Sequence, residues 1–415
     1  MPRVCLITPG HLASTPRVLK EADALAAAGY DTHVVSGRHF GPGDPLDEEI
    51  LARAAWRSMR VDFRDGRPGV LRRKILRRLA RKLLSAVHAP SLAARAHHAE
   101  TFTLAHAAAS LGADLYLGHC LAGLPAAALA ARAAGTRYGF DIEDFHDAET
   151  HEAATNPAER RIRRILQQTF LPNCASLTAA APLIARATAD AYGVNAQVIL
   201  NVFPRSHAPA EPLMPAPITD ARPARIYWFS QTVGPGRGLE TMVEVLAHMR
   251  TPAELALRGF SAPDYRAELS ARAARAGLRR PIQFLDPAPA GEMVRLAATA
   301  DLGLSIEETS PRNRDLCLTN KLFVYLLAGI PQLLSNTRAQ TMFAPEVGAA
   351  GLLADPNQID ETARTLDAFF GNPTRLAESR AAAWRLGQEK FCWDVEQYAF
   401  LNVVEQALGA SRGHG

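Results

Sequence analysis

Residues 3–35, RVCLITPGHLASTPRVLKEADALAAAGYDTHVV, decide the fold of the first half of the chain. Arg3–Thr8 is almost continuously apolar, as in a strand that is buried on both faces of a sheet. After a polar loop, Pro16 suits the first turn of a helix, and Gly29 suits the position just past its end. Asp31–Val35 has the pattern of a second strand. The stretch therefore predicts a β-α-β unit whose two strands are parallel neighbours.

The same alternation of strands and helices returns after residue 224. Five strand-like segments are each followed by a stretch long enough for a helix: Arg225–Phe229, Glu254–Arg258, Pro281–Leu285, Leu302–Ile306 and Ile330–Leu334. Between the halves, residues 201–225 hold six prolines, a density that excludes a helix or a central strand. Two parallel α/β domains joined by a linker are expected, with ligands at the carboxyl ends of the strands.

Composition excludes several other classes of protein. The 415 residues are 48% hydrophobic and 21% charged, which is typical of a folded globular chain. No apolar run approaches the roughly 20 residues of a membrane span, and no secretory signal is recognisable, so a cytoplasmic protein is expected. The five cysteines form no CxxC pair, which argues against a disulfide framework or a zinc site.

Positive charge is concentrated in one stretch. Residues 51–100 carry 13 Lys and Arg against 3 Asp and Glu, although the whole chain has a formal net charge of only +4. The centre of this stretch is 70–87, VLRRKILRRLARKLLSAV, which predicts an amphipathic helix. Its apolar residues recur every four positions: Leu71, Ile75, Leu79 and Leu83. A basic series has the same spacing on the opposite flank: Arg73, Arg77 and Arg81.

Three interpretations of this helix are open. It packs on the protein with a solvated cationic face, or it lies on an anionic membrane or holds a lipid pyrophosphate acceptor. The third interpretation, nucleic-acid binding, has little support because the helix lacks aromatic residues and belongs to no recognised binding module. No nucleic-acid partner is expected.

Two polar segments after strands have the residues of a phosphate site. In residues 227–239, YWFSQTVGPGRGL, a strand runs into a glycine-rich loop that carries Arg237, and a helix follows. Backbone amides in such a loop, the helix N-terminus and a guanidinium all favour an anion. In residues 305–329, a helix is predicted from Thr319 to Gly329, with Lys321 in its first turn. A cation there opposes the helix dipole, and a bound anion would explain its placement.

Several motifs together resemble the retaining GT-B glycosyltransferases, glycosyltransferase family 4 in particular. Residues 320–331, NKLFVYLLAGIP, resemble the donor-site helix of that family, and residues 234–240, GPGRGLE, are similar to its phosphate loop. Residues 11–36 resemble its opening loop, helix and second strand. Residues 391–393, FCW, with the helix predicted after them, resemble its C-terminal tail.

The resemblance implies an α/β fold with two Rossmann-like doubly wound domains that face each other across a cleft. It assigns residues 1–203 to an acceptor-binding domain and 225–388 to a nucleotide-sugar-binding domain. Residues 204–224 form the Pro-rich linker between them. Residues 389–415 form a C-terminal helix that crosses back to the first domain.

The resemblance also implies retaining transfer of a sugar from a nucleotide sugar to a glycan, lipid-linked or other glycoconjugate acceptor, as in polysaccharide biosynthesis at the inner face of a membrane. Arg237 and Lys321 would neutralise the departing diphosphate, so neither a metal nor a cofactor is expected. Further donor-binding candidates are Gln231, Thr232, Gly236, Gly238, Glu307, Glu308 and Asn320. Acceptor-binding candidates are Gly10, His11, Thr15 and Arg17.

The chain departs from the family pattern in two places. Val324 and Leu316 stand where the family has a Glu-x7-Glu pair, and Thr232 stands where it commonly has an arginine. A valine leaves a facing ribose hydroxyl without a partner, whereas a deoxyribose has no 2′-hydroxyl. A dTDP-sugar donor is therefore favoured over UDP- and GDP-sugars. Three acids are candidates to replace the missing pair: Glu307, Glu308 and Asp315.

An acidic loop is predicted at the end of a strand in the first half. Residues 139–149, GFDIEDFHDAE, hold five acids and one histidine, a density that favours function over a simple turn. The loop resembles the one that faces the donor sugar in the family, and this makes Asp144 and His146 candidate catalytic residues. A metal site and a solvated acidic loop are the alternatives.

Other functions are open on the same architecture. A nucleotide-sugar epimerase or a phosphorylase would use similar domains for different chemistry. A catalytically silent GT-B subunit would bind a partner or a nucleotide sugar without turnover. The presence of Arg237 and Lys321 favours catalysis, while Val324 and Leu316 argue against it.

Overall fold

The computed structural model describes residues 1–64, 69–84, 89–150, 156–214 and 216–409. They form two compact units, one of Met1–Leu200 with Gln397–Gly415 and the other of Asn201–Glu396. No helix in these described ranges combines the length and the apolar character needed to cross a membrane.

The first unit is built on a parallel sheet of seven strands. Its strands are β1 (Arg3–Thr8), β2 (Asp31–Arg38), β3 (Arg57–Asp62), β4 (Leu115–His119), β5 (Arg137–Ile142), β6 (Ser176–Ala179) and β7 (Gln197–Val198). Their order in the sheet is β3-β2-β1-β4-β5-β6-β7. The predicted β-α-β unit is confirmed, because β1 and β2 pair in parallel with Arg3 opposite Asp31.

In the described part of this unit, eight α-helices connect the strands. They are α1 (Pro16–Ala27), α2 (Asp44–Leu51), α3 (Val70–Leu83), α4 (Pro90–His97), α5 (Thr101–Ala109), α6 (Cys120–Ala134), α7 (Pro157–Phe170) and α8 (Pro182–Tyr192). Pro16 opens α1, and Gly29 lies just past its end at a φ of +88°, as predicted. The apolar residues of β1 have no exposed surface because helices cover both faces of the sheet.

The second unit has a parallel sheet of six strands in the order β10-β9-β8-β11-β12-β13. Its strands are β8 (Ala224–Thr232), β9 (Ala253–Phe260), β10 (Gln283–Leu285), β11 (Leu302–Ser305), β12 (Gln332–Leu334) and β13 (Gly351–Leu353). Its helices are α9 (Leu239–His248), α10 (Pro263–Ala276), α11 (Met293–Ala297), α12 (Arg312–Leu316), α13 (Asn320–Leu327), α14 (Arg338–Val347), α15 (Ile359–Phe370) and α16 (Pro373–Glu389). A last helix, α17 (Trp393–Gly409), ends the described chain.

The Pro-rich segment falls within the second unit, and a polar contact to Leu213 holds it there. The Arg380 guanidinium donates hydrogen bonds to the carbonyl oxygens of Leu213, Ala300 and Ala298 at 2.8, 2.8 and 3.2 Å. The domain boundaries expected from the sequence stay predictions. Of the six prolines, Pro215 lies outside the described residues.

The orientation of α3 differs from the simplest reading of its sequence. Its apolar series faces outward: Leu71, Ile75, Leu79 and Leu83 are 72%, 48%, 50% and 54% exposed. The basic series Arg73, Arg77 and Arg81 instead makes contacts with the rest of the first unit. One interpretation from the sequence is a packed helix in which these arginines form a solvated cationic face. The structure does not show this arrangement. Residues 85–87 of the predicted helix lie outside the described residues.

Candidate functional site

The glycine-rich loop lies between the carboxyl end of β8 and the first residue of α9. Gln231 and Thr232 are exposed at the end of the strand. Gly236 and Gly238 have φ values of +68° and +73°, which side chains other than glycine rarely adopt. The chain therefore turns sharply in this loop, and its backbone amides lie at the N-terminus of α9. Such a group of amides at a helix N-terminus suits an anion.

Charged side chains lie around this loop. The amide of Gly238 donates to Glu308 Oε1 at 3.3 Å, so a carboxylate already sits on the anion-binding side of the loop. The Arg314 guanidinium donates to the carbonyl oxygen of Gly236. Arg237 is half-buried and has no ion pair or hydrogen bond with any residue that the structure describes. The Arg237 guanidinium is therefore available to form an ion pair with a dianionic ligand.

Lys321 lies in the first turn of α13, as the sequence predicts, but it is only 6% exposed. Its Nζ lies 2.6 Å from Glu307 Oε1 and 5.4 Å from the ring centre of Trp228. These contacts pair Lys321 with groups of the second unit. Asn320, the first residue of α13, is half-buried beside it.

The three acids proposed to replace the missing pair have different surroundings. Glu307 is occupied by Lys321, and its backbone amide donates to Ser335 Oγ at 2.9 Å. Asp315 accepts a hydrogen bond from the backbone amide of Arg338 at 2.7 Å and pairs with that guanidinium. Glu308 is the least buried of the three and contacts the glycine loop. It is the acid best placed to contact a ligand.

Val324 has no exposed surface. It packs in an apolar cluster with Tyr227, Phe229 and Tyr325, all of which are also buried. Leu316 is 3% exposed. A valine enclosed in this way offers no surface to a ribose, so the structure does not meet the premise of the dTDP-sugar prediction. The choice of donor nucleotide stays a prediction.

Two polar groups next to Lys321 lack hydrogen-bond partners among the described residues. One is the indole N–H of Trp228, whose ring lies under the Lys321 ammonium. The other is the Thr319 hydroxyl. Thr319 is at the N-cap position of α13, but its side chain makes no capping hydrogen bond. Buried polar groups are usually paired, so these two are potential ligand contacts.

The acceptor-binding candidates lie at the carboxyl end of β1. His11 uses both ring nitrogens: Nδ1 lies 2.8 Å from Asp47 Oδ2, and Nε2 accepts from the amides of His39 and Phe40 at 3.1 and 3.0 Å. Thr15 donates through its hydroxyl to the carbonyl oxygen of His11 at 3.1 Å. His11 and Thr15 thus stabilise the loop itself.

Arg17 is 1% exposed and cannot reach an acceptor in this structure. Its guanidinium donates to both carboxylate oxygens of Asp141 at 2.6 and 2.7 Å, and to the carbonyl oxygen of Ile199 at 2.8 Å. Gly10 is half-buried, and its backbone is also engaged: its N–H donates to Thr8 Oγ1 at 3.4 Å, and its carbonyl oxygen accepts from the amide of Gly37 at 3.2 Å. In place of the acceptor contacts expected from the sequence, His11 and Arg17 therefore make contacts with other residues of the first unit.

Arg17 belongs to a buried charge cluster with Glu21, His119 and Asp141. His119 Nε2 lies 3.0 Å from Glu21 Oε2, and its Nδ1 lies 3.7 Å from Asp141 Oδ2. Burial alone would lower the pKa of His119, but the carboxylates of Glu21, Glu143 and Asp141 raise it to about 10. Burial likewise opposes ionisation of Asp141, yet the charges of Arg17 and His119 lower its pKa.

The acidic loop follows β5, and most of its acids have partners within the first unit. Asp141 binds Arg17, and Glu143 Oε1 lies 3.8 Å from His119 Nδ1. Asp147 accepts hydrogen bonds from the Tyr192 hydroxyl at 2.5 Å and from Gln167 Nε2 at 3.0 Å. The density of acids thus reflects internal pairing to a large extent, contrary to the inference that it favours function over structure.

His146 and Asp144 remain candidates in this loop. His146 is 3% exposed, and its Nδ1 hydrogen-bonds with Glu149, which also pairs with Arg163 at 3.0 Å. Burial would lower the pKa of His146, but Glu149 more than offsets this effect, so the pKa is raised. His146 Nε2 has no hydrogen-bond partner among the described residues, while Asp144 is half-buried.

Within the described residues, two groups of side chains have metal-ligand geometry: Glu21 with His119 and Asp141, and His11 with Asp44 and Asp47. Each group already contains cations. Arg17 binds Asp141, and Arg60 lies 2.7 and 2.9 Å from Asp44 and Asp47. A guanidinium in each group competes with a metal ion for the same carboxylates, so both are better described as ion-pair networks.

Sequence reasoning missed Arg314, Trp228 and the charge cluster. Arg314 stands in the segment RNRDL between the loop acids and Lys321, where a second arginine beside a phosphate site was a usable signal. Glu21 and His119 carry no local signal, because they meet Asp141 only through strand order.

The fold is that of the GT-B glycosyltransferases, which confirms the expected pair of Rossmann-like domains. HepE from Anabaena, solved with UDP and glucose, is 17% identical with a TM-score of 0.70, covering 98% of this chain and 100% of that one. Sucrose-phosphate synthase from Thermosynechococcus elongatus is 14% identical with a TM-score of 0.67, covering 99% and 100%. The lipopolysaccharide outer-core galactosyltransferase WaaB is 11% identical with a TM-score of 0.60, covering 97% and 99%.

No family model and no curated relative matches the chain. At these identities the likeness establishes the fold. Membership of family 4 stays a prediction.

Proposed function

We propose that this protein is a glycosyltransferase that takes a sugar from a nucleotide-sugar donor bound by the second unit. The observation that carries the proposal is Arg237, a cation without a described partner on a glycine loop at a helix N-terminus. Lys321, Thr319 and Trp228 add a second cation and two unpaired polar groups in the same unit. The UDP and glucose bound to HepE lend further support, because that protein has the same fold.

The chemistry follows from the charge of the leaving group. As the bond between the sugar and the diphosphate breaks, negative charge develops on the phosphate, and fixed cations stabilise it. Arg237 supplies such a charge directly. Lys321 does so once a donor phosphate competes with Glu307. Retention of configuration would follow if the leaving phosphate accepts the proton of the incoming hydroxyl on the same face of the sugar.

The acceptor proposed is a glycan, a lipid-linked saccharide or another glycoconjugate bound by the first unit, and a hexose is the proposed transferred group. Gly10 is proposed as an acceptor contact, and Asp144 and His146 are proposed as catalytic residues. Polysaccharide biosynthesis and a place at the cytoplasmic face of a membrane are part of the same proposal. The exposed basic side chains of α3, Arg72, Lys74, Arg78 and Lys82, support it.

A thermal-shift screen with UDP-, GDP-, dTDP-, ADP- and CMP-sugars tests the donor site. Ligand at 100 times its dissociation constant stabilises a folded protein by about 2.7 kcal/mol, which gives a clear rise in Tm. We expect at least one nucleotide sugar to raise the Tm of the wild type. Arg237→Ala should lose this rise, whereas Arg250→Ala, at an exposed arginine just past the C-terminal end of α9, should keep it. No shift with any donor would contradict the proposal.

The same titrations decide the donor nucleotide. The sequence favours dTDP because of Val324, but the burial of Val324 removes that premise, and Glu308 remains available for ribose hydroxyls. Tighter binding of UDP than of dTDP would end the deoxyribose hypothesis.

A further inference from the structure

The outward face of α3 combines apolar and cationic side chains. Leu71, Ile75, Leu79 and Leu83 are each about half exposed or more, although the spacing of four would allow them to pack on the protein. Four further side chains of the same helix are also exposed: Arg72, Lys74, Arg78 and Lys82. The helix contains no acidic residue. These eight side chains are called the outer face of α3.

Contacts on the opposite side fix this orientation. Arg73 lies 2.5 Å from Glu100, and Arg77 and Arg81 donate to the carbonyl oxygen of Ala96 at 3.2 and 3.1 Å. Arg81 also pairs with Glu159. Turning the helix to bury its leucines would break these bonds and leave Glu100, which is 5% exposed, without its cation.

A second basic helix of the same unit shows the ordinary arrangement. In α7, Ile162, Ile165 and Leu166 are 2% exposed or less, whereas its arginines Arg160 and Arg164 are exposed. Basic composition alone therefore does not turn leucines outward. Of these two basic helices, α3 is the one with an exposed apolar series, and this series calls for a partner that takes up both apolar groups and positive charge.

We propose that the outer face of α3 binds the surface of an anionic lipid bilayer. The leucine and isoleucine side chains would enter the boundary between headgroups and acyl chains, while the arginines and lysines would contact headgroup phosphates. Nucleic acid would leave the apolar series in water. A two-fold dimer through this face would bring four cations against four cations.

The position of α3 links this surface to the acceptor end of the first unit. Arg73 of α3 lies 5.7 Å from the ring centre of Phe63, which in turn contacts His39 at 5.1 Å, just past the carboxyl end of β2. The next residue, Phe40, is 62% exposed. Ligands of such sheets bind at this end. The position of α3 therefore favours an acceptor carried on a lipid. This step alone rests on the proposed function.

Co-sedimentation with vesicles of 70% phosphatidylcholine and 30% phosphatidylglycerol tests the proposal. We expect the wild type to bind, and to bind pure phosphatidylcholine much less. Ile75→Gln with Leu79→Gln should weaken partitioning at least about tenfold, because two apolar side chains no longer enter the bilayer. Arg72→Gln with Arg78→Gln should weaken it about 25-fold at low salt, since each cation near an anionic surface is worth about fivefold.

Matched controls separate insertion from general electrostatics. Arg160→Gln with Arg164→Gln on α7 removes two exposed cations where the apolar residues are buried, and it should have the smaller effect. Leu79→Trp should show a blue shift of its fluorescence when vesicles are added. All α3 variants should keep the Tm rise caused by nucleotide sugars, so a failure of donor binding is distinguishable from a failure of membrane binding.

Three results would overturn the proposal. The first is a wild type that does not bind anionic vesicles at low salt. The second is full binding by the Ile75→Gln, Leu79→Gln variant, which would show that the apolar series does not enter the bilayer. The third is a dimer in light scattering that dissociates in the same variant without any vesicle binding, which would assign the face to a second copy of the chain.

Discussion

Lys321 and Glu307 form a buried ion pair at the proposed donor site, and this changes what a single substitution measures. Both side chains are largely removed from solvent, and their charged atoms are 2.6 Å apart. Removing one partner of such a pair leaves an uncompensated charge in a low-dielectric environment. A loss of function after Lys321→Ala alone would therefore mix a lost phosphate contact with a weakened fold.

A pair of variants separates the two effects. Lys321→Ala should lower the free energy of unfolding by about 3–5 kcal/mol in urea denaturation. Lys321→Met combined with Glu307→Gln should recover most of this loss, because neither charge remains. If Lys321 binds the donor phosphates, the double variant still fails to bind a nucleotide sugar. Recovery of stability together with unchanged donor affinity would remove Lys321 from the site.

Val324 belongs to the apolar interior, so a carboxylate at this position should destabilise the fold. Val324→Glu places a carboxylate among Tyr227, Phe229 and Tyr325, so it should lower the free energy of unfolding by about 3 kcal/mol or more. Val395→Glu, on a side chain that is 40% exposed, should change it by no more than about 0.5 kcal/mol. Urea denaturation compares the two. A stable Val324→Glu protein with a new preference for UDP would restore the ribose hypothesis.

Three elements of the first unit meet in the buried charge cluster, because Arg17 and Glu21 come from α1, His119 from β4 and Asp141 from β5. The cluster gives stability a predictable pH dependence. The pKa of His119 is about 10 in the folded protein against an ordinary value of 6.5, so the folded state binds more protons between these values. The stabilisation is complete below about pH 6.5 and is lost as the pH rises through about 10.

Comparison with His119→Gln isolates this contribution. The stability difference between the wild type and the variant should shrink as the pH rises from about 6.5 to about 10, by an amount on the order of a few kcal/mol. Burial and the charge of Arg17 lower the pKa of Lys20 to about 7, which acts in the opposite direction in the same range. Since Lys20 is present in both proteins, the difference removes its effect. A difference that does not vary with pH would contradict the assigned protonation state.

Elements with strong local patterns were predictable from sequence, whereas those that depend on tertiary contacts were not. The apolar run of β1, with Pro16 and Gly29 around α1, determined the β-α-β unit almost by itself. The three-residue strand β13 was missed because it is too short to show a period. The orientation of α3 was also missed, since the partners of its arginines lie on other helices.

At the scale of the whole molecule, each of the two sheets consists of parallel strands, and its polar loops lie at the carboxyl ends of those strands. This placement follows from the order of helices and strands along the chain. Which loop residues are free to bind a ligand does not follow from it. The sequence predicts Arg17 as an acceptor contact, and Arg237 and Lys321 as the cations that neutralise the donor diphosphate. Only pairing across the fold shows that Arg17 is fully engaged, that Lys321 is paired and that Arg237 has no described partner.

The most direct test of glycosyl transfer is kcat/KM for the nucleotide sugar found in the thermal-shift screen, measured as nucleotide diphosphate released with acceptor present. Loss of a cation that stabilises the leaving phosphate costs about 2–4 kcal/mol, so Arg237→Ala should lower kcat/KM by about 30- to 1000-fold. Arg250→Ala should leave it unchanged. Consumption of donor that is equal in the wild type and Arg237→Ala, or no consumption at all by the wild type, would contradict the account.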